Sequence, residues 1–247
     1  RTELIKKKCG VDTPFISNAA TAHGIKFEPL ATSIYEKRTN TMILEFGCLP
    51  HPHISYFGAS PDGIVSYESN NKDYVGRMLE IKCPKSRVIT GIIPDGYYAQ
   101  MQGQLEVCDL EYCDFLECDF QMYKNKDEFY KDSKEDKGII IELFDTTLKK
   151  SLYHYSEEKH IKNREEFEKW EDEIIESIFK EENNHLEYVT TTFWYLNKYN
   201  VVLVKRDRDY FFKNFIAIKS FWDEVLYYRK NGIDSLLSKK KNTYKYK

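Results

Sequence analysis

The stretch that decides the fold is SPDGIVSYESNNKDYVGRMLEIKCP, which spans residues 60–84. Hydrophobic and polar residues alternate within 63–67 and again within 77–83, which is the pattern of a β-strand with one buried face. The polar residues 68–73 between them have the composition of a turn. We therefore predict two neighbouring antiparallel strands, and a third predicted strand at 53–60 extends them into a meander.

Hydrophobic periodicity predicts further elements on both sides of this meander. A segment rich in Lys, Asp and Glu, residues 123–138, is predicted to be a loop. The order of helices and strands predicts an α/β fold built on a mixed sheet. The predicted helices lie at 14–38 (broken near Gly24 and restarting at Pro29), 94–108, 157–182 and 207–230, and the remaining predicted strands at 112–120 and 188–204.

The chain has 247 residues, of which 41% are hydrophobic, so it can bury a core and is expected to fold as one domain. Its formal net charge is −3, but the charge is unevenly distributed. Residues 106–187 contain twenty-five acidic and twelve basic residues, whereas 188–247 contain five acidic and thirteen basic residues. A basic surface of this kind can follow nucleic-acid phosphates, although solvated helices and a Lys-rich tail explain the same distribution.

Several classes of protein are disfavoured by the sequence. No run of about eighteen apolar residues and no charged-then-apolar leader occurs, so neither a membrane span nor secretion is expected, and we expect an intracellular protein. Because the sequence begins with Arg1 rather than Met, we expect the natural N-terminus to lie upstream. The six cysteines form no CxxC pair, and an iron–sulfur cluster on Cys108, Cys113 and Cys118 would need a fourth ligand. We expect reduced, mostly buried thiols.

Two carboxylates and an amine in the predicted strands carry the chemistry. Glu80 and Lys82 are two residues apart, so they project from one strand face, and Asp62 begins the neighbouring strand. Two carboxylates at one point repel each other unless a cation lies between them, and hard oxygen ligands favour Mg²⁺ or Mn²⁺. A lysine beside them can orient or deprotonate water and can neutralise charge at a phosphate. The alternative is a solvated strand face with ordinary cross-strand ion pairs.

The predicted helix that follows the meander adds polar side chains to this region. Tyr97, Gln100 and Gln104 are three or four residues apart and therefore share one helix face. Leu79 and Ile81 alternate with the charged strand residues and are expected to point into the core. The helix residues either belong to the same site or form an ordinary face, with the tyrosine packed on the sheet.

Four motifs, taken together, make the sequence resemble the PD-(D/E)xK nucleases, and more closely the branch that contains phage lambda exonuclease and the YqaJ-like viral recombinases. The resemblance covers about 18–120, and 188–230 resembles the C-terminal part of members from large DNA viruses. In chain order the motifs are HGIKFEP at 23–29, SPDG at 60–63, LEIKCP at 79–84 and YYAQMQGQ at 97–104.

The resemblance implies an architecture for the whole chain. It implies a restriction-endonuclease-like core, in which helices flank a mixed central sheet, at about 14–122. The loop at 123–138 follows, and additional helices and a strand form a C-terminal extension at about 139–247. The family also carries an upstream arm that engages the 5′ end of DNA, and no residue before Thr13 clearly matches it.

The resemblance also implies which residues hold the metal. Asp62 and Glu80 would bind Mg²⁺ or Mn²⁺ directly, helped by the backbone carbonyl of Ile81. Glu28 would approach from its helix and complete the site, directly or through water. The alternative for Glu28 is an exposed acid at a helix start, where a negative charge is favourable.

The remaining roles are implied in the same way. Lys82 would hold or activate the attacking water, and Gln100, with Tyr97, would support the scissile phosphate or Lys82. DNA contacts are expected from Tyr97, Gln104, Lys85 and Arg87, with the basic stretches 6–8, 205–208 and the C-terminal lysines along the backbone.

The function implied is metal-dependent exonuclease digestion of duplex DNA, 5′→3′, in viral recombination or repair, in the host cytoplasm or virion. Double-stranded DNA is the expected partner, together with a single-strand annealing protein and further copies of the chain. Three alternatives stay open: a nicking or structure-specific endonuclease, an RNA nuclease on the same core, and a catalytically inactive DNA-binding module.

Overall fold

The computed structural model describes residues 1–11, 18–180 and 183–237. Helices and strands alternate along most of this length. In chain order they are α1 (Thr2–Lys8), α2 (Ala19–Thr39), β1 (Ile43–Leu44), β2 (Leu49–Pro50), β3 (Gly58–Ala59), β4 (Gly63–Val65), a 3₁₀ turn (Lys72–Tyr74), β5 (Met78–Lys82), α3 (Asp95–Cys108), β6 (Tyr112–Met122), α4 (Lys126–Lys131), β7 (Lys137–Asp145), β8 (Lys150–Tyr155), α5 (Glu158–Ile161), α6 (Arg164–Ile178), β9 (Leu186–Lys205), α7 (Arg208–Asn231) and α8 (Asp234–Leu237).

Seven of the strands form one mixed sheet in the order β1-β4-β5-β6-β9-β7-β8, and β2 and β3 form a separate hairpin. Among the described strands only β5 and β6 pair in parallel, and α3 makes the crossover between them. The long strand β9 pairs antiparallel with β6 through its C-terminal part and with β7 through its N-terminal part. The predicted α/β class with a mixed central sheet is therefore confirmed, and β9 joins the C-terminal strands to the core sheet.

The strand β5 is covered on both faces, and its alternation assigns each side chain to one layer. Leu79 and Ile81 pack in the cluster that contains Phe27 and Tyr35 of α2. Met78 packs on the opposite face, in the cluster that contains Met101 and Leu105 of α3. Glu80 and Lys82 share the face of Met78, so the charged residues point toward α3 rather than into open solvent.

The helix α2 differs from the predicted broken helix, since it continues through Gly24 and Pro29. Asn18 caps its start by accepting the backbone N–H groups of Ala20 and Thr21 at 3.0 and 2.9 Å. Proline has no backbone N–H, so Pro29 cannot donate to the carbonyl of Ile25 one turn earlier in the helix. Ile25 is exposed, so water can donate to this carbonyl instead. Burial of the opposite helix face keeps the helix continuous. The predicted residues before 18 lie outside the described part.

Three other predicted boundaries are wrong. Most of 53–60 is irregular, because the imidazole Nδ1 of His51 accepts the N–H groups of His53 and Ile54 and forms a turn. The predicted loop 123–138 contains α4 and the start of β7, and the predicted helix at 157–182 is divided into α5 and α6 where Asn163 caps a new helix. The strands β1, β7 and β8 were not predicted, whereas α3, β4, β5, β6, β9 and α7 are confirmed.

No described helix combines the length and the apolar character that crossing a bilayer requires. The six cysteines are unpaired; Cys83, Cys113 and Cys118 are buried, while Cys48 is exposed.

Gly63 is expected to be essential for the close approach of β1 to β4. A Cβ atom at this position would overlap the Cγ2 atom of Ile43 on the paired strand. We expect Gly63→Ala to lower the free energy of unfolding by about 1–3 kcal/mol, as overpacked cores do. Urea unfolding followed by circular dichroism measures the change.

Gly24→Ala is the matched control, because no heavy atom lies within 4 Å of a Cβ placed on this helical residue. It should raise the free energy of unfolding by about 0.5–1 kcal/mol, since alanine loses less backbone entropy than glycine in a helix. Equal effects of the two substitutions would contradict the steric role of Gly63.

Candidate active site

The strands β4 and β5 bring Asp62 and Glu80 together. β4 pairs antiparallel with β5, with Gly63 opposite Leu79, so Asp62 lies beside the second half of β5. Its carboxylate Oδ2 accepts the backbone N–H of Ile81 at 2.6 Å. This bond fixes Asp62 next to the residue that follows Glu80, as the spacing of the two motifs predicts.

Glu80 is fully buried, and side chains from two elements donate hydrogen bonds to its carboxylate. Lys82 Nζ and Gln100 Nε2 both contact Oε1, the latter at 2.8 Å, and Gln104 Nε2 contacts Oε2 at 2.8 Å. Burying an ionised carboxylate is costly unless donors and an opposite charge surround it. The three donors therefore keep a charged group in place inside the protein.

Burial, together with the neighbouring carboxylates, raises the pKa values of Asp62 and Glu28. Burial raises the pKa of Asp62 to about 7, and the Glu80 carboxylate adds to the rise, while the N–H of Ile81 and the charge of Lys82 oppose it. Burial also raises the pKa of Glu28, with Lys82 opposing and Glu80 adding to the rise. Glu28 projects from the exposed rim of α2 and is within electrostatic reach of the other two carboxylates.

Lys82 is held in its charged form. Burial alone would lower its pKa, but the charge and hydrogen bond of Glu80, together with Asp62, outweigh burial and raise the pKa. The ammonium group also lies 5.1 Å from the ring centre of Tyr97, a favourable cation–π distance. An amine with a raised pKa can orient water and neutralise phosphate charge, but it is a poor base at neutral pH.

The donor chemistry fits a hard divalent cation. Asp62, Glu80 and Glu28 offer carboxylate oxygens, and the pKa values of Asp62 and Glu28 are raised by burial and by the neighbouring carboxylates, effects that a cation would offset. Within the described ranges, no group of three or more His, Cys, Asp and Glu side chains is arranged to hold a metal ion. Mg²⁺ is suited to such a site, because it commonly takes one or two carboxylates and fills its other positions with water and phosphate oxygens.

The four predicted DNA-contact residues occupy different environments. Lys85 is exposed. Arg87 donates to the fully buried Glu117 at 2.6 Å, and its guanidinium lies 5.7 Å from the ring centre of Tyr97. Gln104 is buried, and its amide donates to the Glu80 carboxylate, so that group is already engaged and is not free to contact a DNA phosphate.

Arg206, in the basic stretch 205–208, is not available for the predicted contact with the DNA backbone. The Arg206 guanidinium is buried and donates to Glu106 at 2.7 Å and to Asp109 at 2.7 Å. An arginine that is already paired with two carboxylates has no free donors for a phosphate, so this residue fastens α3 to the end of β9. Gln102 strengthens the same junction, because it donates to the Lys205 carbonyl and accepts the Asp207 N–H.

Nothing in the sequence indicates that α7 adjoins the site. Aromatic and aliphatic residues of α7 line a cavity whose opposite wall contains Gln100 and Gln104. The aromatic content of 207–230 is the one sequence feature that indicates an extended contact surface. Periodicity within this helix cannot show which other element the helix covers.

Comparison with known proteins finds a matching domain family and a viral relative. Residues 1–111 match the sequence profile of the YqaJ-like viral recombinase domain. The chain is 34% identical over 271 aligned residues to a protein of Acanthamoeba polyphaga mimivirus, and the alignment covers 95% of this chain and 49% of the relative. The chain thus spans about half the length of the curated relative it matches.

The fold also resembles that of solved structures. The structure of LHK-Exo in complex with dAMP superposes with a TM-score of 0.53 at 21% identity, covering 94% of this chain and 81% of that chain. A second structure, of LHK-Exo as the alkaline exonuclease from Laribacter hongkongensis, has a TM-score of 0.41 at 25% identity over 72% of this chain and 78% of that chain.

The mixed sheet and its flanking helices thus define a protein with the alkaline exonuclease fold. More specifically, residues 1–111 match the YqaJ-like viral recombinase domain, which confirms the resemblance predicted from the four motifs. The matched region contains Glu28, Asp62, Glu80, Lys82 and Gln100.

The raised pKa of Asp62 predicts a stability that depends on pH in metal-free buffer. Asp62 titrates near 7 in the folded protein and near 3.8 in the unfolded chain, so between these values only the folded state binds the proton. The free energy of unfolding should therefore fall as pH rises from about 4 to 7. Asp62→Asn should raise it by about 1–3 kcal/mol at about pH 8 and change it little at about pH 4.

Chemical denaturation with a chelator present measures this difference at both pH values. Asp73→Asn, which alters an exposed acid in the 3₁₀ turn, is the control and should leave the pH dependence unchanged. A substitution at Asp62 that destabilises the protein equally at both pH values would show that its carboxylate carries no such repulsion.

Proposed function

We propose that the protein is a metal-dependent exonuclease that hydrolyses the phosphodiester bonds of duplex DNA. The observation that carries the proposal is the convergence of the buried Glu80 carboxylate, the Asp62 carboxylate and the charged Lys82 amine at the end of β5. A purely structural ion pair would not need a further carboxylate with a raised pKa beside it.

Different residues are assigned different roles at the scissile phosphate. Asp62 and Glu80 are the proposed metal ligands, with the Ile81 carbonyl beside them, and Glu28 would reach the cation directly or through water. When bound, a divalent cation supplies positive charge at the phosphate and makes water acidic enough to attack near neutral pH. Lys82 orients the attacking water and offsets the negative charge that develops on the phosphate oxygens.

The hydrolysis adds the oxygen of water to phosphorus and breaks the bond between phosphorus and the 3′ oxygen, which leaves a 5′-phosphate and a 3′-hydroxyl. Gln100 reaches the same carboxylate from an exposed position on α3, so we assign it to support the phosphate and to hold Glu80. Gln104 is a positioning residue behind Glu80. Tyr97, which lies between the two cations Lys82 and Arg87, and the exposed Lys85 are assigned to the DNA backbone.

The 5′→3′ direction and the duplex preference rest on the family. LHK-Exo is an alkaline exonuclease and was crystallised with dAMP, a mononucleotide of the kind that exonuclease digestion of DNA releases. The match of residues 1–111 to the YqaJ-like viral recombinase domain supports a role in viral DNA recombination or repair, and the mimivirus relative is the basis for proposing the host cytoplasm or virion as its location. A strand-annealing protein that takes up the exposed strand, and assembly of several copies, are the partners we propose.

Cleavage of a linear duplex tests the proposed roles. With Mg²⁺ present, the wild-type protein should shorten end-labelled linear duplex DNA, and Asp62→Asn or Glu80→Gln should abolish the reaction. Lys82→Ala should slow it by about a thousandfold, because a charge that stabilises the transition state is lost. Lys37→Ala, at an exposed lysine of α2, is the matched control and should leave the rate unchanged.

The substrate distinguishes this proposal from its rivals. A covalently closed circular duplex should remain intact, since an exonuclease needs an end, whereas a nicking endonuclease would open it. Faster cleavage of RNA than of duplex DNA would favour the RNA nuclease, and normal cleavage by Lys82→Ala would refute the role given to that amine.

Divalent cations should stabilise the protein through the same carboxylates. At about a hundredfold excess over the dissociation constant, Mg²⁺ or Mn²⁺ should add about 2.7 kcal/mol, which is roughly 5 °C in the midpoint of thermal unfolding. Asp62→Asn should lose this increase and Asp73→Asn should keep it. An equal increase in both variants would place the bound cation elsewhere.

A further inference from the structure

We propose that a groove between α7 and the β2–β3 hairpin binds a single DNA strand, which ends on a stacking platform formed by Tyr56, Trp222 and Arg229. This inference rests on the proposed function, because the strand would be the one that enters or leaves the carboxylate site. Two adjoining cavities make up the groove, with volumes of about 550 and 580 Å³.

The groove begins at the candidate active site. The first cavity is lined by Gln100 and Gln104, the two residues that donate to Glu80. The two cavities share Phe57, Gly58 and Ile218, so the space continues from the carboxylates toward the C-terminal half of α7. A strand positioned with a phosphate at Glu80 therefore has a continuous path along this surface.

The first part of the groove suits bases and sugars. On the α3 side its wall includes the small residues Gly96 and Ala99, and no heavy atom lies within 4 Å of a Cβ placed on Gly96. The ring of Phe57 packs on Gly103 and against the buried Phe211, with the two ring centres 5.6 Å apart, and lines the space beside them. Apolar walls of this kind accept the faces of bases without reading their sequence.

The second cavity ends on the platform. The rings of Tyr56 and Trp222 are nearly parallel, with an angle of 10° and centres 5.5 Å apart. The guanidinium of Arg229 lies 5.0 Å from the ring centre of Trp222. Phe215 also stacks on Tyr56, with ring centres 6.4 Å apart, so the partly exposed Trp222 and the exposed Arg229 are the groups that can receive a base.

Positive charge accompanies the aromatic rings. Lys8 and Arg229 both line the second cavity, and among the described residues neither forms an ion pair with a carboxylate. Arg229 donates through Nε and Nη2 to the Lys8 carbonyl, which holds the end of α1 against α7 and keeps the two charges together. Unpaired cations beside stacked rings favour a nucleic-acid strand over an apolar peptide.

The occupant we infer is single-stranded DNA and not a duplex. The bases of a duplex are stacked on one another and cannot lie against protein rings, whereas each base of a single strand has free faces. Affinity should therefore come from stacking and from phosphate contacts, with little sequence preference.

Fluorescence gives a direct test, because Trp170 and Trp194 are buried and Trp222 is partly exposed. Oligodeoxythymidylate should quench the tryptophan emission of the full chain in a chelator that prevents cleavage. A covalently closed circular duplex should not, and Trp222→Phe should lose the quenching while it keeps most of the affinity. Quenching that persists without Trp222, or no quenching at all, would overturn the platform.

Affinity and its salt dependence test the contacts separately. By anisotropy, Trp222→Leu should weaken binding of the oligonucleotide roughly five- to a hundredfold. Lys8→Gln, at an exposed residue, should reduce the slope of log affinity against log salt by about 0.7. The matched controls are Tyr227→Leu and Lys230→Gln, which remove an exposed ring and an exposed charge elsewhere on α7.

The outcomes separate this inference from the proposed function. If Trp222→Leu and Lys8→Gln bind the oligonucleotide as tightly as their controls, the groove is not the strand's path, even if linear duplex is digested. If Asp62→Asn binds the oligonucleotide normally and the wild-type protein digests no duplex with Mg²⁺, the strand-binding groove stands and the nuclease proposal fails. Tighter binding of oligoribonucleotide than of oligodeoxythymidylate would overturn the assignment of DNA as the occupant.

Discussion

The structure around the candidate site depends on one constraint, which is the need to keep the Glu80 carboxylate charged although it is fully buried. A charge removed from water requires donors on every side, and they come from Lys82 on its own strand and from two glutamines on α3. The parallel pairing of β5 with β6 places α3 across the sheet face on which Glu80 lies. The crossover helix therefore covers the sheet and supplies the charge with partners.

The same constraint connects the site with the C-terminal part of the chain. α3 must stay fixed for its glutamines to hold Glu80, and Gln102 and Arg206 join it to the end of β9 and the start of α7. The helix α7 then lies beside α3, and the space left between them opens next to the carboxylates. Features that are distant in sequence, such as the carboxylates and the aromatic residues of α7, are thereby parts of one surface.

Local geometry explains why the central residues could be predicted. Glu80 and Lys82 share a face because strands have a period of two, and Gln100 and Gln104 share a face because helices have a period near 3.6. The same reasoning fails where long-range contacts determine the local structure or the partner of a side chain. Pro29 predicts a break, but packing of the opposite face keeps α2 continuous, and Arg206 reads as a free basic residue although Glu106 and Asp109 neutralise it.

The sequence by itself determined the α/β class, the strands that carry Asp62 and Glu80, and the helix that follows them, because these depend on periodicity and on turn residues. Tertiary structure alone decided that the face of Glu80 is buried, that Gln104 lies behind it, and that α7 closes a groove beside it. The physical reason is that periodicity assigns a side chain to a face of its own element. Which element covers that face depends on sheet order and chain crossing, and neither is encoded in the local pattern.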